Sequence, residues 1–129
     1  MAPLSVSVQI SVTESAVYRF AGVTGDFSRM HVDAEFARDG VAGHRIAHGV
    51  MLIALAERAR DAWVERCGEP RPTAGYDRIR FVKPILFDDE LVVEYTGDPA
   101  RPEEPRLVEV RNQRGETVGV ATHLVKAAS

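Results

Sequence analysis

The segment that most constrains the fold is an apolar run at the start of a predicted helix over residues 49–66. Residues 50–56 read Val-Met-Leu-Ile-Ala-Leu-Ala, so apolar side chains point to every side of this helix. A helix of that kind is buried in the interior of a domain. The segment CGEPRP, with Gly68 and two prolines, ends the helix. The rest of the chain must therefore cover a central helix.

Alternating sequences on either side of this helix predict the strands that cover it. Residues 4–12 alternate apolar and polar side chains, which is typical of a half-buried strand. A first helix is expected over residues 14–25 behind an N-cap at Thr13, and one further helical turn before Gly40. Four strands are predicted after the central helix, over residues 73–85, 89–97, 106–113 and 117–127.

This order of elements predicts a single α+β domain over residues 1–129, with an antiparallel sheet packed on the central helix. The length suits one domain, and apolar residues, at 45%, are sufficient for a core. One sheet covers a helix on one side only, so the other sides of the helix need a second surface. We therefore expect a homodimer or a dimer of dimers.

Charge, hydropathy and cysteine content exclude several function classes. The net charge of −3 gives no electrostatic support to a nucleic-acid partner. The longest apolar run is interrupted by His48 and is too short to span a bilayer. We therefore expect a cytoplasmic protein without a membrane partner. Cys67 is the only cysteine in the sequence, and we expect an inert thiol because no spacing links it to a base.

The stretch TGDFSRMHVD, residues 24–33, carries the first candidate chemistry. It places Asp26 and His31 five residues apart in a turn-rich segment. A histidine can take up and release a proton near neutral pH, and a nearby carboxylate can fix its tautomer or share a bound water. The same spacing more often reflects an Asp in an Asx turn beside an unrelated surface His. The pattern alone leaves both interpretations open.

The spacing of the histidines gives little support to a metal site. His44 and His48 are four residues apart, which would put both rings on one face of a helix, and His31 and Asp33 lie upstream. The sequence has no HExxH motif, and Gly49 is typical of a helix start. We expect neither a metal nor another cofactor.

A family resemblance decides between the two interpretations of Asp26 and His31. The segments FAGVTGDFSRMHVDAEFARD and GHRIAHGVMLIALA resemble two motifs of the MaoC-like family, which includes (R)-specific enoyl-CoA hydratases. The residues that match these motifs are Gly25, Asp26, His31, Ile46, Ala47, His48, Gly49 and Leu52. Downstream, IRFVKPILFDDEL resembles a third family segment through Phe81, Pro84, Asp89 and Leu91.

The resemblance implies a hot-dog fold, in which an antiparallel sheet wraps a long central helix. It also implies that water adds to a trans-2-enoyl thioester of CoA or a carrier protein, giving the (R)-3-hydroxyacyl thioester. Asp26 and His31 would activate the water, and the backbone N–H of Gly49 would stabilise charge on the thioester oxygen. The residues expected to contact the substrate are Phe27, Ser28, His48, Val50 and Met51.

Departures from the family pattern keep two other functions open. Ser28-Arg29 replaces the family's Asn-Pro, and Asp88 replaces a Gly. Some hydratases carry a Ser where this chain has Ala56 and Glu57. The first alternative is a non-catalytic acyl-CoA-binding module or partner subunit. The second is a thioesterase, for which Glu57 would supply the acidic residue of the central helix.

The sequence says less about which residues bind the CoA phosphates and about the length of the acyl chain. Arginine forks suit phosphates, and one predicted strand carries three basic residues while a fourth lies before the central helix. The candidates for the CoA phosphates are Arg45, Arg78, Arg80 and Lys83. The same pattern is typical of a solvated strand edge, so these residues are not assigned to the site, and the length of the acyl chain is left open.

Overall fold

A computed structural model describes residues 3–68 and 70–127. Its elements in chain order are β1 (Leu4–Ser11), α1 (Glu14–Thr24), α2 (Arg29–Val32), α3 (Ala34–Arg38), α4 (Met51–Cys67), β2 (Thr73–Phe81), β3 (Glu90–Gly97), β4 (Arg106–Arg111) and β5 (Thr117–Val125). Every predicted strand and helix is confirmed, and the largest change of a boundary is in β2. The predicted single domain over residues 1–129 extends beyond the described residues and stays a prediction.

The strands form one antiparallel sheet in the order β1-β3-β4-β5-β2. The edges of the sheet are β1 and β2, the strands before and after the helices in the chain, since β1 pairs with β3 and β2 pairs with β5. The α+β class with an antiparallel sheet on a central helix is thereby confirmed. None of the helices in the described ranges is long and apolar enough to cross a membrane.

One stripe of α4 packs on the sheet. The side chains of Leu52, Ala56, Ala59 and Trp63 are at most 1% exposed and follow the period of a helix. The small alanines let the helix axis come close to the strands. The indole Nε1 of Trp63 donates a hydrogen bond of 3.0 Å to the carbonyl oxygen of Leu4, which ties the end of α4 to β1.

The sequence predicted that α4 is buried on every side, but within a single chain it is not. Val50, just before the helix, is 53% exposed, and Ala54 is exposed as well. The main contacts of α4 are with β1, β3 and β5, because one sheet reaches one side of a helix. Apolar surface therefore remains at the start of α4.

A bulge interrupts the predicted alternation of β2. Arg78 has a φ of 52°, in the left-handed region, and the register with β5 shifts between Asp77 and Arg80. Phe81, after the bulge, is 55% exposed and stands against Gly49, where an added Cβ would lie 3.3 Å from the phenyl ring. The irregular end of β2 thus reaches the start of α4.

A chain of hydrogen bonds crosses the interior beside the middle of α4. Arg106 donates to the Tyr95 hydroxyl, which donates to Nδ1 of His123 at 2.5 Å. The Nε2–H of His123 donates to the Thr73 hydroxyl at 2.8 Å, and that hydroxyl donates to Glu57 at 2.5 Å. Burial lowers the pKa of His123 to about 4, so its neutral ring accepts on one side and donates on the other. His123 is therefore a structural residue.

Gly119 in β5 faces α4 where there is no room for a side chain. A Cβ at this position would lie 1.9 Å from Cδ1 of the fully buried Leu52 and 3.3 Å from the carbonyl oxygen of Arg80. We predict that Gly119→Ala lowers the free energy of unfolding by about 1–3 kcal/mol, measured by urea denaturation. Gly75→Ala is the matched control, because the space around Gly75 in β2 is open. Equal effects of the two substitutions would contradict this account of the packing.

Candidate active site

Asp26 lies in the loop that joins α1 to α2. The loop begins at Gly25, whose left-handed conformation (φ 77°) ends α1 while its N–H bonds to Ala21 at 2.8 Å. The N–H of Asp26 then donates to Oγ1 of Thr24 at 3.1 Å. Thr24 and Gly25 therefore fix the backbone position of Asp26, whose side chain is 44% exposed.

Ser28 holds one oxygen of this carboxylate. Oδ1 of Asp26 accepts hydrogen bonds from the Ser28 hydroxyl at 2.7 Å and from the Ser28 N–H at 3.1 Å. These bonds, the hydroxyl's first, lower the pKa of Asp26 below its usual value. The carboxylate is thus kept ionised, and its second oxygen, Oδ2, accepts no hydrogen bond from the residues that the structure describes. The contact of Ser28 with substrate stays a prediction.

His31 faces that second oxygen. The ring is 6% exposed, and its Nδ1 lies 2.7 Å from the carbonyl oxygen of Ile46. A carbonyl only accepts, so Nδ1 carries the proton and Nε2 keeps its lone pair. Nε2 lies 3.9 Å from Oδ2 of Asp26, too far for a direct hydrogen bond. Asp26 does form an Asx turn, but His31 is no surface residue, so the interpretation as a dyad is geometrically possible.

His48 packs behind the pair and is 1% exposed. Its ring stacks on that of His31, with centroids 3.9 Å apart and planes at 25°. The centroid of the Phe20 ring lies 4.9 Å from that of His48. Its Nε2 lies 2.9 Å from the backbone carbonyl oxygen of Asp26, so Nε2 carries the proton. His48 lies before α4 and not inside a helix with His44, so the two rings do not share a helix face.

Three residues of the site carry atoms that could bind a metal. Asp26, His31 and His48 bring potential ligand atoms within 4.8 Å of one another. However, Nδ1 of His31 and Nε2 of His48 are each bonded to a backbone carbonyl. A metal held by all three residues would have to break the second of these bonds or use the deeply buried Nδ1 of His48. The arrangement, with free acceptor atoms on Asp26 and His31, suits a bound water better than a metal.

Gly49 directly follows His48 and precedes α4. The N–H groups of Met51, Leu52 and Ile53 bond to carbonyls of residues 48–50. By contrast, the N–H of Gly49 has no hydrogen-bond acceptor among residues 3–68 and 70–127. A free amide at a helix start is suited to stabilise negative charge. The structure therefore leaves a backbone N–H free at the residue to which the resemblance assigned a donor, and that role stays a prediction.

An apolar cavity of about 270 Å³ opens beside Gly49. Its lining is Ile46, Ala47, Gly49, Leu52, Phe81, Val82, Lys83, Pro84, Ile85 and Val118. The predicted contacts Phe27, Val50 and Met51 are not part of this lining, and Phe27 is 57% exposed. The sequence did signal Phe81 and Pro84 through the third family segment, but gave no reason to place them against Gly49.

Three other residues considered in the sequence are already engaged. Arg45 donates to Glu14 at 2.8 Å and to the Tyr18 hydroxyl at 2.6 Å, and Lys83 pairs with Glu116. Glu57 comes eight residues after Gly49 on α4, about 12 Å further along the helix axis. Because it accepts hydrogen bonds within the buried network, it is poorly placed to act beside Asp26.

Sequence and structure comparisons found related proteins of known activity. The family described as MaoC like domain matches residues 2–119. The 3-hydroxyacyl-thioester dehydratase Z of Mycobacterium tuberculosis is 35% identical over 77 residues, 59% of this chain and 51% of that protein. The chain thus matches about half the length of that relative.

Two further relatives extend the match. The (R)-specific enoyl-CoA hydratase of Rhodospirillum rubrum is 28% identical over 102 residues, 78% of this chain and 67% of that protein. The structure of R-hydratase PhaJ1 from Pseudomonas aeruginosa has a TM-score of 0.72 to this chain at 26% identity, covering 99% of this chain and 83% of the other. The similarity therefore extends over the whole fold described above.

The bond from Ser28 to Asp26 generates a prediction that needs no substrate. Ser28→Ala removes the hydroxyl that contributes most to lowering the pKa of Asp26, so we expect that pKa to rise and the carboxylate to become protonated at a higher pH. Titration of the Asp26 carboxyl ¹³C chemical shift measures the change. Ser28→Thr keeps a hydroxyl and is the control. An unchanged pKa in Ser28→Ala would show that the hydroxyl does not act on the carboxylate.

Proposed function

The chain belongs to the MaoC-like family and has its hot-dog fold, and from this premise we propose that it is a hydratase or dehydratase of acyl thioesters. It adds water to a trans-2-enoyl thioester of CoA or a carrier protein and forms the (R)-3-hydroxyacyl thioester. The observation that carries the proposal is the gap of 3.9 Å between Asp26 Oδ2 and His31 Nε2. Both atoms are acceptors without a protein donor in the described part of the chain.

A water molecule beside these two atoms can bridge them. Hydrogen bonds to water are about 2.8 Å long, so one water oxygen can lie within bonding distance of both acceptors. Its two O–H groups then point to Asp26 and His31, and its lone pairs point outward. A water held in this way is oriented for attack on a carbon in front of the pair.

The proton balance assigns different roles to the two residues. As the water oxygen bonds to C3, one O–H bond breaks and its proton passes to the lone pair of His31 Nε2. The π electrons of the substrate move toward the thioester oxygen. The carboxylate of Asp26, which Ser28 keeps ionised, holds the remaining hydroxyl. The proton then returns from the dyad to C2, so no proton is gained or lost.

Gly49 supplies the donor for the oxygen on which charge develops. Its N–H is free and lies at the start of α4, where the helix dipole favours negative charge. Such a donor acts most strongly in the transition state, because the ground-state oxygen carries less charge. The apolar cavity beside Gly49 is the proposed site of the acyl chain.

Neither a metal nor another cofactor enters these steps, and the expectation that none is needed stays a prediction. The cytoplasmic location and the substrate contacts of Phe27, Val50 and Met51 also stay predictions, and we further propose a role in fatty acid metabolism. The departure at Ser28-Arg29 keeps the non-catalytic module open as an alternative. The bonds from Ser28 to Asp26 instead support a working carboxylate.

We further propose that the chain acts as a homodimer or a dimer of dimers. Val50, Phe81 and Val82 are each more than half exposed, and they lie together because Phe81 stands against Gly49. The adjacent strand β2 pairs on one side only, with β5, among the described strands. A second chain would cover both this apolar patch and the strand edge.

The reaction is tested by the dyad variants. Asp26→Asn and His31→Ala should each lower kcat for a short trans-2-enoyl-CoA by roughly 10²–10⁴-fold, the usual effect of a positioned acid or base. The double variant should be little worse than the worse single one, since both act on one water. The measurement is the loss of absorbance of the conjugated thioester. Asp39→Asn and His44→Ala are exposed controls in the same region.

The same assay separates the alternatives. Hydration releases no free thiol, and the reverse dehydration should proceed from the (R) and not the (S) 3-hydroxyacyl-CoA. Thiol release that matches substrate loss would favour the thioesterase. Binding without turnover across short, branched and carboxylated enoyl-CoAs would favour the non-catalytic module. Turnover near the wild-type rate in either single dyad variant would refute the assigned roles.

The oligomer is tested by sedimentation at micromolar concentration. We expect at least twice the mass of one chain, which is 14.2 kDa. Val82→Glu places a charge in the apolar patch and should shift the mass toward the monomer. Val23→Glu is the control, because Val23 is 86% exposed on α1. A monomeric wild type would contradict the proposal.

A further inference from the structure

We propose that His48 is a positioning residue that holds both members of the dyad, Asp26 through its backbone and His31 through its ring. Sequence reasoning placed His48 in contact with substrate, and the mechanism above gives it no step. This inference rests on the proposed function for its kinetic part only. Its geometric part concerns the free protein.

The first contact completes the immobilisation of Asp26. Its N–H bonds to Thr24, its Oδ1 accepts two bonds from Ser28, and its carbonyl oxygen accepts the Nε2–H of His48 at 2.9 Å. Every polar atom of Asp26 except Oδ2 is therefore bonded within the described part of the chain. Loss of the His48 bond would leave the peptide after Asp26 free to rotate and would let Oδ2 move away from His31.

The second contact fixes the plane of His31. One hydrogen bond holds that ring, from Nδ1 to the Ile46 carbonyl at 2.7 Å, and a single bond allows the ring to swing about it. The ring of His48 lies flat on one face, 3.9 Å away between centroids. This contact blocks the swing and keeps Nε2 directed at Oδ2.

The burial of His48 argues against a direct role in proton transfer. The ring is 1% exposed, and Nε2 is committed to a backbone carbonyl. Nδ1 is buried and bonds to no group among the described residues. A buried nitrogen without a partner costs stability, which is expected where a ring is kept for its position at a functional site rather than for the core.

Two substitutions separate the two contacts. His48→Phe keeps a flat ring but removes the donor to Asp26. His48→Gln keeps an N–H near the position of Nε2 but removes the ring. We expect both to lower kcat roughly 10–100-fold, the range found for residues that orient a functional group, with KM nearly unchanged. The pH–rate profile should keep its shape, because His48 neither gives nor takes a proton in the proposed mechanism.

The same substitutions at the exposed His44 are the matched controls and should leave kcat unchanged. Near-ultraviolet circular dichroism and thermal unfolding establish that each variant is folded. Unchanged kcat in both folded His48 variants would overturn the proposal. Loss of one limb of the pH–rate profile would also overturn it, because that result would make His48 an acid or base.

A measurement on the wild type tests the geometry without any turnover. Nitrogen-15 chemical shifts of the imidazole rings report the tautomer of each histidine. We expect the proton on Nε2 of His48 and on Nδ1 of His31. A proton on Nδ1 of His48 would overturn the proposal even if both variants fail to fold. If no enoyl thioester is turned over but the tautomers agree, the proposed function fails while the positioning geometry stands.

Discussion

The site depends on how closely the first turn of α4 packs on β5. Gly119 leaves the space that Leu52 occupies, and Ala56 continues the stripe with a small side chain. Because the core is close-packed, this contact fixes the start of the helix. His48 and Gly49 immediately precede it, so their positions are set by the packing and not by the loop that carries them. The rigid core thus determines where a ring and a free amide are presented.

The other half of the site is held by polar contacts and not by packing. The loop from Gly25 to Ser28 uses a left-handed glycine and side-chain bonds within a few residues of one another. Such local bonds fix a carboxylate in an exposed loop without burying its charge, which would be costly. Asp26 therefore stays ionised and accessible. His48 joins the two halves, since it bonds to the loop and precedes the helix.

The strands were predictable because alternation has a period of two, and the central helix because its apolar run is long. Asp26 and His31 were found through a family motif, since five residues of spacing admit an ordinary turn as well. The contact of His48 with Asp26 joins residues 22 apart and depends on the packing of α4, which no local pattern contains. The bulge at Arg78 likewise breaks the alternation that predicted β2, so the approach of Phe81 to Gly49 appears only in the fold.

The buried network beside α4 and the candidate site differ in which polar groups they leave without a partner. In the network from Arg106 to Glu57, each hydroxyl and ring nitrogen has a partner, with donors and acceptors in one consistent order. Around Asp26, the described residues leave Oδ2, Nε2 of His31 and the N–H of Gly49 without partners. Folding alone favours the first arrangement, because unsatisfied polar groups near the core reduce stability. The two free acceptors are groups that a water would satisfy, and the free donor of Gly49, beside the apolar cavity, is one that a thioester oxygen would satisfy.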